Sequence, residues 1–430
     1  LTFQRDYHQG YLDDDFKYEW IASHDDIMSN PKKFLGNEDI SLDEICNELG
    51  IQSIWPHVQR LRDHVKNYKD KLLYGGFKQN VSDEDIVLYV KAAYCLIKKI
   101  KKEFTPDIFI LPNFVSLMHI FTSLFCKKNN IKIFAYTTTG IKEHCIFIND
   151  HFDTSGKFFD LLLKFNSKEK TPNYDKVDHF LEEEFLQLKN DSKKLEFKID
   201  LIRNTIRLGK KILKKFINKD KAYHEDKKKL FKVYPDNLSI KYLIRDFFSF
   251  NMNFIKTKKI KFYDLENIKN FAYMPLQYQP EVNIDGMSSS FNNQIETARQ
   301  IAMNLPGDMT LVVKDHPHMR GFRSYKYLEK VLKTPNVKLI DSSHKGTYVI
   351  RKAKILIAST GTSFFEAALL KKPGILLGNL GTAKILPNVI KLNNFNEITK
   401  KTIEMIDIAK SWDEEYMRKL KNFIASSLQC

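Results

Sequence analysis

Short apolar runs alternate with segments of helical periodicity along most of the chain, and this alternation predicts strands connected by helices. The runs predicted to be buried strands in the second half lie near Tyr273 and at Met309–Val313, Val337–Ile340, Ile355–Ala358 and Gly374–Leu377. Residues 107–136 show the same pattern once, as strand, helix and strand. We therefore expect an α/β protein with Rossmann-like, parallel sheets.

The pattern divides the chain of 430 residues into three parts. Residues 1–265 are expected to form an N-terminal α/β domain with a Lys-rich helical insert at about 160–262. Residues 266–400 are expected to form a second, Rossmann-like domain, and residues 401–430 a C-terminal helix that packs back on the first domain. A chain of this length can bury two separate cores.

The insert contains a basic amphipathic helix. Ile202, Ile206 and Leu213 recur at helical spacing, with lysines and arginines between them. Such a helix either packs on its own domain as a surface helix or binds an anionic membrane face or an acidic polymer. On the second interpretation, the contact would lie at Lys210–Lys229.

Composition limits the classes of binding partner and the cellular compartment that we expect for this protein. The formal net charge is +16, but no nucleic-acid-binding motif is present, so we expect no nucleic acid partner. The five cysteines are scattered without a CxxC pair, which favours a reducing cytosol over disulfides or a zinc site. No uninterrupted apolar run is long enough to span a bilayer. We expect a cytoplasmic protein that is at most peripheral on the inner face of the cytoplasmic membrane.

A hydroxyl-rich turn follows the Ile355–Ala358 run and precedes a predicted helix. It consists of Ser359, Thr360, Gly361, Thr362 and Ser363. Backbone N–H groups and hydroxyls at such a turn can hold an anion, although the same residues can also simply cap the helix. Glu366 matches a capping box with Ser363, or else hydrogen-bonds a ribose hydroxyl. No GK[ST] follows, so the turn is not a P-loop.

A second polar cluster follows the Met309–Val313 run. Pro317 ends the strand. His316 before it either donates a hydrogen bond to a phosphate oxygen or has only a structural role. Lys314, Arg320 and Arg323 add positive charge around it. His316 and His318 have no third metal ligand nearby and no HExxH motif is present, so we expect no metal.

The third cluster follows Tyr273. Gln277, Gln279 and Glu281 alternate and would share one face of an extended strand. Glu281 is either a catalytic acid or base or an ordinary loop carboxylate. Because ligands bind at the carboxyl ends of strands in open α/β sheets, the three clusters predict one shared nucleotide-phosphate site.

As an ordered set, these motifs resemble the capsule polysaccharide biosynthesis family, which includes bacterial Kdo transferases of the GT-B fold. The motifs lie at residues 275–281, 314–317, 335–340 and 359–368, followed by Lys372-Pro373. The resemblance implies two Rossmann-like domains facing a central cleft. It implies a donor such as CMP-linked Kdo or a related ulosonic acid, held by His316-Pro317 and by the turn Ser359–Ser363. It also implies a glycan or glycolipid acceptor and no metal or other cofactor.

The resemblance leaves the catalytic carboxylate open. In such folds this residue often comes from the N-terminal half, where Glu143, Asp150 and Asp153 follow the Ile131–Tyr136 strand. Glu281 is the competing candidate from the second half.

Three other functions stay open. One is a polyol-phosphate transferase with a CDP-linked donor, and another is a UDP-sugar epimerase of the same two-lobed fold. The third is a non-catalytic scaffold that binds polysaccharide or membrane. The identity of the bound nucleotide distinguishes these functions.

Overall fold

The computed structural model describes residues 27, 30–36, 39–58, 83–111, 113–114, 116–141, 144–150, 154–190, 194–195, 201–217, 240–279 and 281–430. Within these ranges, no helix combines the length and the apolar composition that a membrane span requires.

The N-terminal part begins with helices. They are α1 (Lys32–Leu35), α2 (Leu42–Leu49), α3 (Trp55–Val58) and α4 (Asp83–Phe104). Helix α4 begins with Asp83, Glu84 and Asp85 and ends with Lys101 and Lys102, an order that suits the helix dipole. Its buried face joins the apolar side chains of α2 in one cluster.

A small sheet follows these helices. It contains β1 (Ile108–Ile110), β2 (Lys132–Thr138) and β3 (Cys145–Ile148), with helix α5 (Leu117–Lys128) between β1 and β2. Strands β1 and β2 pair in parallel, as the strand–helix–strand pattern predicts. Strand β3 pairs antiparallel with β2, which places Phe147 opposite Tyr136.

Within the described residues, four helices lie between the small sheet and the second half. They are α6 (Lys157–Asn166), α7 (Asp175–Asn190), α8 (Leu201–Ile217) and α9 (Ile240–Thr257). Helices α8 and α9 pack against each other. The segment Lys210–Lys229 lies only partly within the described residues, because residues 218–239 fall outside them.

The second half contains a six-stranded sheet. Its strands are β4 (Phe271–Pro275), β5 (Thr310–Lys314), β6 (Val337–Ile340), β7 (Ile355–Ala358), β8 (Gly374–Leu376) and β9 (Val389–Lys391). The strand order is β6-β5-β4-β7-β8-β9, and every neighbouring pair is parallel. All side chains of β5, β7 and β8 are buried, as expected for strands covered on both faces. The predicted α/β class with a parallel Rossmann-like sheet is confirmed.

Helices connect and follow these strands. They are α10 (Val282–Asp285), α11 (Gln294–Met303), α12 (Tyr325–Leu332), α13 (Gly346–Lys352), α14 (Ser363–Leu369), α15 (Gly381–Lys384), α16 (Ile398–Lys410) and α17 (Glu414–Leu428). The sequence pattern predicts one helical stretch over Asn396–Leu428, whereas the structure has two helices. The break falls at Ser411–Asp413, where the Asp413 side chain accepts a hydrogen bond from Glu415 N and starts α17.

Helix α17 joins the two halves. It packs against α6 and α7, and the ring of Phe423 lies 5.3 Å from that of Phe158 and 5.9 Å from that of Phe365 in α14. One apolar cluster therefore runs from the small sheet into the large one. Gly140, at the end of the turn after β2, lies directly against Phe365, where a Cβ would approach the Phe365 Cβ to 3.2 Å.

Candidate functional site

The three polar clusters follow β4, β5 and β7, which are adjacent in the large sheet. The chain builds outward from β4 to β5 and β6, then returns to place β7 on the other side of β4. Ligands of doubly wound sheets bind where the strand order reverses in this way, outside the carboxyl ends of the strands. Gln277 follows β4 and Ser359 follows β7, so both lie at this reversal.

The turn Ser359–Ser363 holds hydroxyls that no described residue satisfies. Thr360 is fully buried, and neither its Oγ1 nor the buried Oγ of Ser363 has a hydrogen-bond partner among the described residues. Gly361 has a φ of +116°, and a Cβ there would approach Gln277 Oε1 to 3.3 Å. The amide of Gln277 donates to Thr360 O at 3.0 Å and so ties the turn to the end of β4.

The capping alternative for this turn does not describe the structure. Thr362 is the N-cap of α14, and its side chain makes no capping hydrogen bond. Ser363 is therefore the first helical residue, so Glu366 lies one position too far along the helix to complete a capping box. Glu366 Oε2 lies instead beside Gly346, at 3.7 Å from the position of a Cβ there.

Lys314 ends β5 and His316 follows it, and burial lowers the pKa of both side chains. Burial lowers the pKa of Lys314 to about 8, against the opposing effect of the carboxylates of Asp315, Glu366 and Asp341. Burial, then the charge of Lys314, lowers the pKa of His316 to about 4, so this imidazole is neutral at pH 7. His316 Nδ1 accepts the N–H of His318 at 3.2 Å, which leaves the ring proton on Nε2 as a donor.

Asp315 and Arg323 form the frame beneath His316. The Arg323 guanidinium pairs with the Asp315 carboxylate, and both side chains are buried. Asp315 also accepts the N–H of His316 at 2.8 Å, and Arg323 donates to Gln277 O at 2.7 Å. Burial raises the pKa of Asp315, although Arg323 opposes this rise.

These bonds connect all three clusters. A continuous series of hydrogen bonds runs through Thr360, Gln277, Arg323, Asp315 and His316. Arg323 thus orients the site rather than extending into it.

Arg320 and Gln279 are held by other residues of the protein. Arg320 pairs with Asp341 at 3.4 Å and lies over the Phe254 ring of α9. Gln279 is buried and donates to Asp285 Oδ1 and Asn292 O, both at 3.0 Å. The predicted common face of Gln277 and Gln279 is not present, because β4 ends at Pro275, before either residue.

Glu281 lies in the segment between β4 and α10. Its backbone N–H donates to Asp285 Oδ2 at 3.1 Å, and Asn283 Nδ2 donates to Glu281 Oε1 at 3.3 Å. Burial, with a smaller contribution from Asp285, raises the pKa of Glu281. A carboxyl group with a raised pKa can exchange protons nearer neutral pH, as an acid or base catalyst must.

The N-terminal candidates have different surroundings. Asp150 accepts hydrogen bonds from Thr154 N at 3.0 Å, Thr154 Oγ1 at 3.0 Å and Ser155 Oγ at 2.5 Å. This carboxylate therefore closes the loop between β3 and α6. Glu143 and Asp153 lie outside the described residues. Within the described ranges, no group of three or more His, Cys, Asp or Glu side chains is arranged to hold a metal ion.

Sequence reasoning missed three residues that shape the site. Gly378 packs so closely that a Cβ would lie 1.9 Å from Ser288 Oγ and 2.2 Å from Ser359 O. Ser288 Oγ and Gly378 N both donate to Ser359 O, at 3.0 Å each. Gln294 donates to Gln277 O at 3.2 Å and accepts from Gln277 N at 2.6 Å. The sequence held a signal for Gly378 alone, because a glycine directly follows the apolar run Gly374–Leu377. Nothing in the sequence pattern indicated Ser288 or Gln294.

Comparison with known proteins supports the resemblance. Residues 237–381 match the model of the family described as capsule polysaccharide biosynthesis protein. The match covers β4 to β8 and so includes the three polar clusters of the strand-end site. The family resemblance that the motifs indicate is confirmed over this range. No curated protein matches the chain.

Several solved structures align with the chain at low similarity. The β-Kdo 2,7-transferase KpsC of Thermosulfurimonas dismutans aligns with 12% identity and a TM-score of 0.33 over 87% of each chain. A UDP-GlcNAc 2-epimerase of Methanocaldococcus jannaschii aligns with 14% identity and a TM-score of 0.27, over 95% of this chain and 97% of that chain. The function proposed below therefore rests on the geometry of the site and not on these alignments.

Proposed function

We propose that this chain, whose residues 237–381 match the model of the capsule polysaccharide biosynthesis family, is a glycosyltransferase of bacterial surface polysaccharide synthesis. The donor would be a CMP-activated sugar, Kdo or a related ulosonic acid. The acceptor would be a growing glycan or a glycolipid.

The unsatisfied hydroxyls of the turn Ser359–Ser363 carry this proposal. Leaving a buried hydroxyl without a hydrogen bond costs about 1–3 kcal/mol, so such groups at a strand-order reversal indicate a ligand that supplies the bonds. Thr360 Oγ1 and Ser363 Oγ can each donate to a phosphate oxygen. His316 Nε2 is a third donor, linked to the same turn through Gln277 and Arg323.

These donors support departure of the nucleotide. When the bond between the anomeric carbon and the phosphate oxygen breaks, negative charge grows on the CMP phosphate. Neutral donors fixed in a buried site, with Lys314 behind them, would stabilise that charge without a metal ion. Glu366, the carboxylate of α14 beside Lys314, would hydrogen-bond a ribose hydroxyl.

Glu281 is the carboxylate that we propose as catalytic acid or base. Its raised pKa and its position after β4 support this role. Asp150 is less suited to it, because Thr154 and Ser155 already occupy its oxygens.

A lipid-linked acceptor would also explain the basic segment Lys210–Lys229. We propose that this part of the chain lies near an anionic membrane surface, on the cytoplasmic side. Attraction between lysines and anionic headgroups is the basis for this partner.

Thermal unfolding with CMP, CDP, UDP and GDP tests the donor. A ligand that binds only the folded protein stabilises it, by about 2.7 kcal/mol when the ligand concentration is one hundred times its Kd. This stabilisation raises the melting temperature. We expect CMP alone to stabilise the protein, and His316→Ala to abolish that shift. Stabilisation by CDP would favour the polyol-phosphate transferase, and stabilisation by UDP the epimerase. No shift with any of the four nucleotides would contradict the donor site and favour the scaffold.

A further inference from the structure

Helix α9 carries an apolar stripe on its outward face. Phe248 is 65% exposed and Met252 51% exposed, and Ile244 and Ile255 are exposed as well. Their spacing of four, four and three residues places all four side chains on one side of a helix. The stripe therefore runs nearly the full length of α9.

The opposite face of α9 already has its packing partner in the chain. The ring of Phe250 lies 4.9 Å from that of Phe322, and Asn253 Nδ2 donates to Gly321 O at 3.3 Å. Gly321 has a φ of +87°, and a Cβ there would come within 2.7 Å of the Phe250 ring. The helix is thus fixed to the segment after His316-Pro317 by one face and presents the other to the surroundings.

Exposed basic residues lie on the neighbouring helix α8 and at the end of α9. Helix α8, which packs beside α9, exposes Ile206 and Leu213 together with Arg207 and Lys210. The exposed lysines at and after the end of α9 are Lys256, Lys258, Lys259 and Lys261. Every charged residue of 201–217 is basic, and Asp246 is the one acidic residue in 240–261.

We propose that the outward face of the α8–α9 pair binds an anionic lipid surface. Phe248 and Met252 would enter the boundary between headgroups and acyl chains, while the surrounding lysines contact the anionic headgroups. A second copy of the chain fits less well, because the same face on two protomers would bring positive charges together.

This surface shares Lys210 with the predicted contact at Lys210–Lys229, but its apolar anchor lies on α9. Because Gly321 and Phe322 belong to the segment that begins at His316, membrane binding would hold the strand-end site beside the bilayer. An acceptor anchored in lipid would then be within reach. The inference does not depend on which nucleotide the site binds.

Vesicle flotation without nucleotide tests the surface. We expect the full chain to float with vesicles of phosphatidylcholine containing about one third phosphatidylglycerol, and not with phosphatidylcholine alone. Phe248→Ser with Met252→Ser should weaken binding on the order of tenfold or more. The matched control is Leu186→Ser on α7, since Leu186 is 60% exposed but lies outside the stripe. Its binding should equal that of the wild type.

A fluorescent reporter separates insertion from simple charge attraction. The emission of Phe248→Trp should shift to the blue with anionic vesicles and become protected from iodide, whereas Leu186→Trp should show neither change. Equal binding of the double variant and the wild type would overturn the proposal, as would an unshifted Phe248→Trp. A wild-type dimer that the double variant converts to a monomer would also overturn it, in favour of a second copy.

Discussion

Two polar turns of this protein look alike in sequence and differ in structure. Both lie at the end of a strand and contain threonine with a glycine. The segment Thr137–Gly140 begins with the last two residues of β2, and Ser359–Ser363 follows β7. After β2, Thr139 Oγ1 shares a hydrogen bond of 2.8 Å with Ser427 Oγ of α17, and Asp150 after β3 is occupied by Thr154 and Ser155. After β7, Thr360 Oγ1 and Ser363 Oγ have no partner among the described residues.

The comparison shows that polarity at a strand end does not by itself identify a site. The N-terminal polar groups satisfy one another and hold the two halves together. The groups after β7 are buried at an energetic cost that a bound anion would offset. Where the hydrogen bonds go distinguishes a structural turn from a candidate binding turn.

The buried ion pair of the strand-end site should be far more sensitive to substitution than a more exposed ion pair of α17. Arg323→Met leaves the buried carboxylate of Asp315 without its cation and should cost about 3–5 kcal/mol. Arg418→Met, which removes a more exposed pair with Glu415 against α6, should cost about 1 kcal/mol or less. Urea unfolding at pH 7 measures both variants. Similar losses in the two would show that the frame is no more constrained than the surface.

The two described carboxylate candidates should separate in turnover. Glu281→Gln keeps the shape of the side chain but removes its proton exchange, and should lower kcat by roughly 10²–10⁴-fold. Asp150→Asn should leave kcat unchanged and lower stability by about 1 kcal/mol, because it weakens a loop. Transfer from CMP-Kdo to a glycan acceptor provides the assay. A large loss of turnover in Asp150→Asn alone would move the chemistry to the N-terminal half.

The loss of stability at acid pH should depend on a histidine of the strand-end site and not on one in the N-terminal half. Burial lowers the pKa of His316 from its ordinary 6.5 to about 4, so the unfolded chain takes up this proton first. The contribution of His316 to stability is complete above pH 6.5 and is lost as the pH falls toward 4. His316→Gln should therefore flatten the fall in melting temperature between pH 6.5 and 4. His179→Gln, at an exposed position of α7, is the control, and identical profiles for both variants would contradict the assignment.

Much of the large sheet could be predicted from sequence, because its strands are short apolar runs with clear turns between them. The run Ile355–Ala358 is a strand as predicted, and the helix predicted from Asn292 begins at Gln294. Strand β9 was missed, since Val389–Lys391 is three residues long and partly exposed, and shows no periodicity. Strand β3 of the small sheet was missed for the same reason, because its apolar run is similarly short.

The site was harder to predict than the strands. The sequence pattern predicts parallel strands whose carboxyl ends share one edge of the sheet. It therefore also predicts that the polar residues at these ends lie at that edge, namely Lys314, His316 and the turn Ser359–Ser363. The buried positions of Gln279 and Arg323 depend on partners distant in the chain, such as Asn292 and Gln277. No local pattern specifies such contacts, so residue type alone suggested ligand contacts where the structure has a supporting network.

The most direct test of the account is the affinity for CMP of two threonine variants, measured by isothermal titration calorimetry. Thr360→Val removes a hydroxyl that has no described partner, and Thr139→Val removes one that is paired with Ser427. We predict that Thr360→Val weakens CMP binding about 10–100-fold without lowering the melting temperature. Thr139→Val should lower the melting temperature and leave CMP binding unchanged. If Thr360→Val binds CMP as tightly as the wild type, the turn after β7 does not hold the nucleotide phosphate.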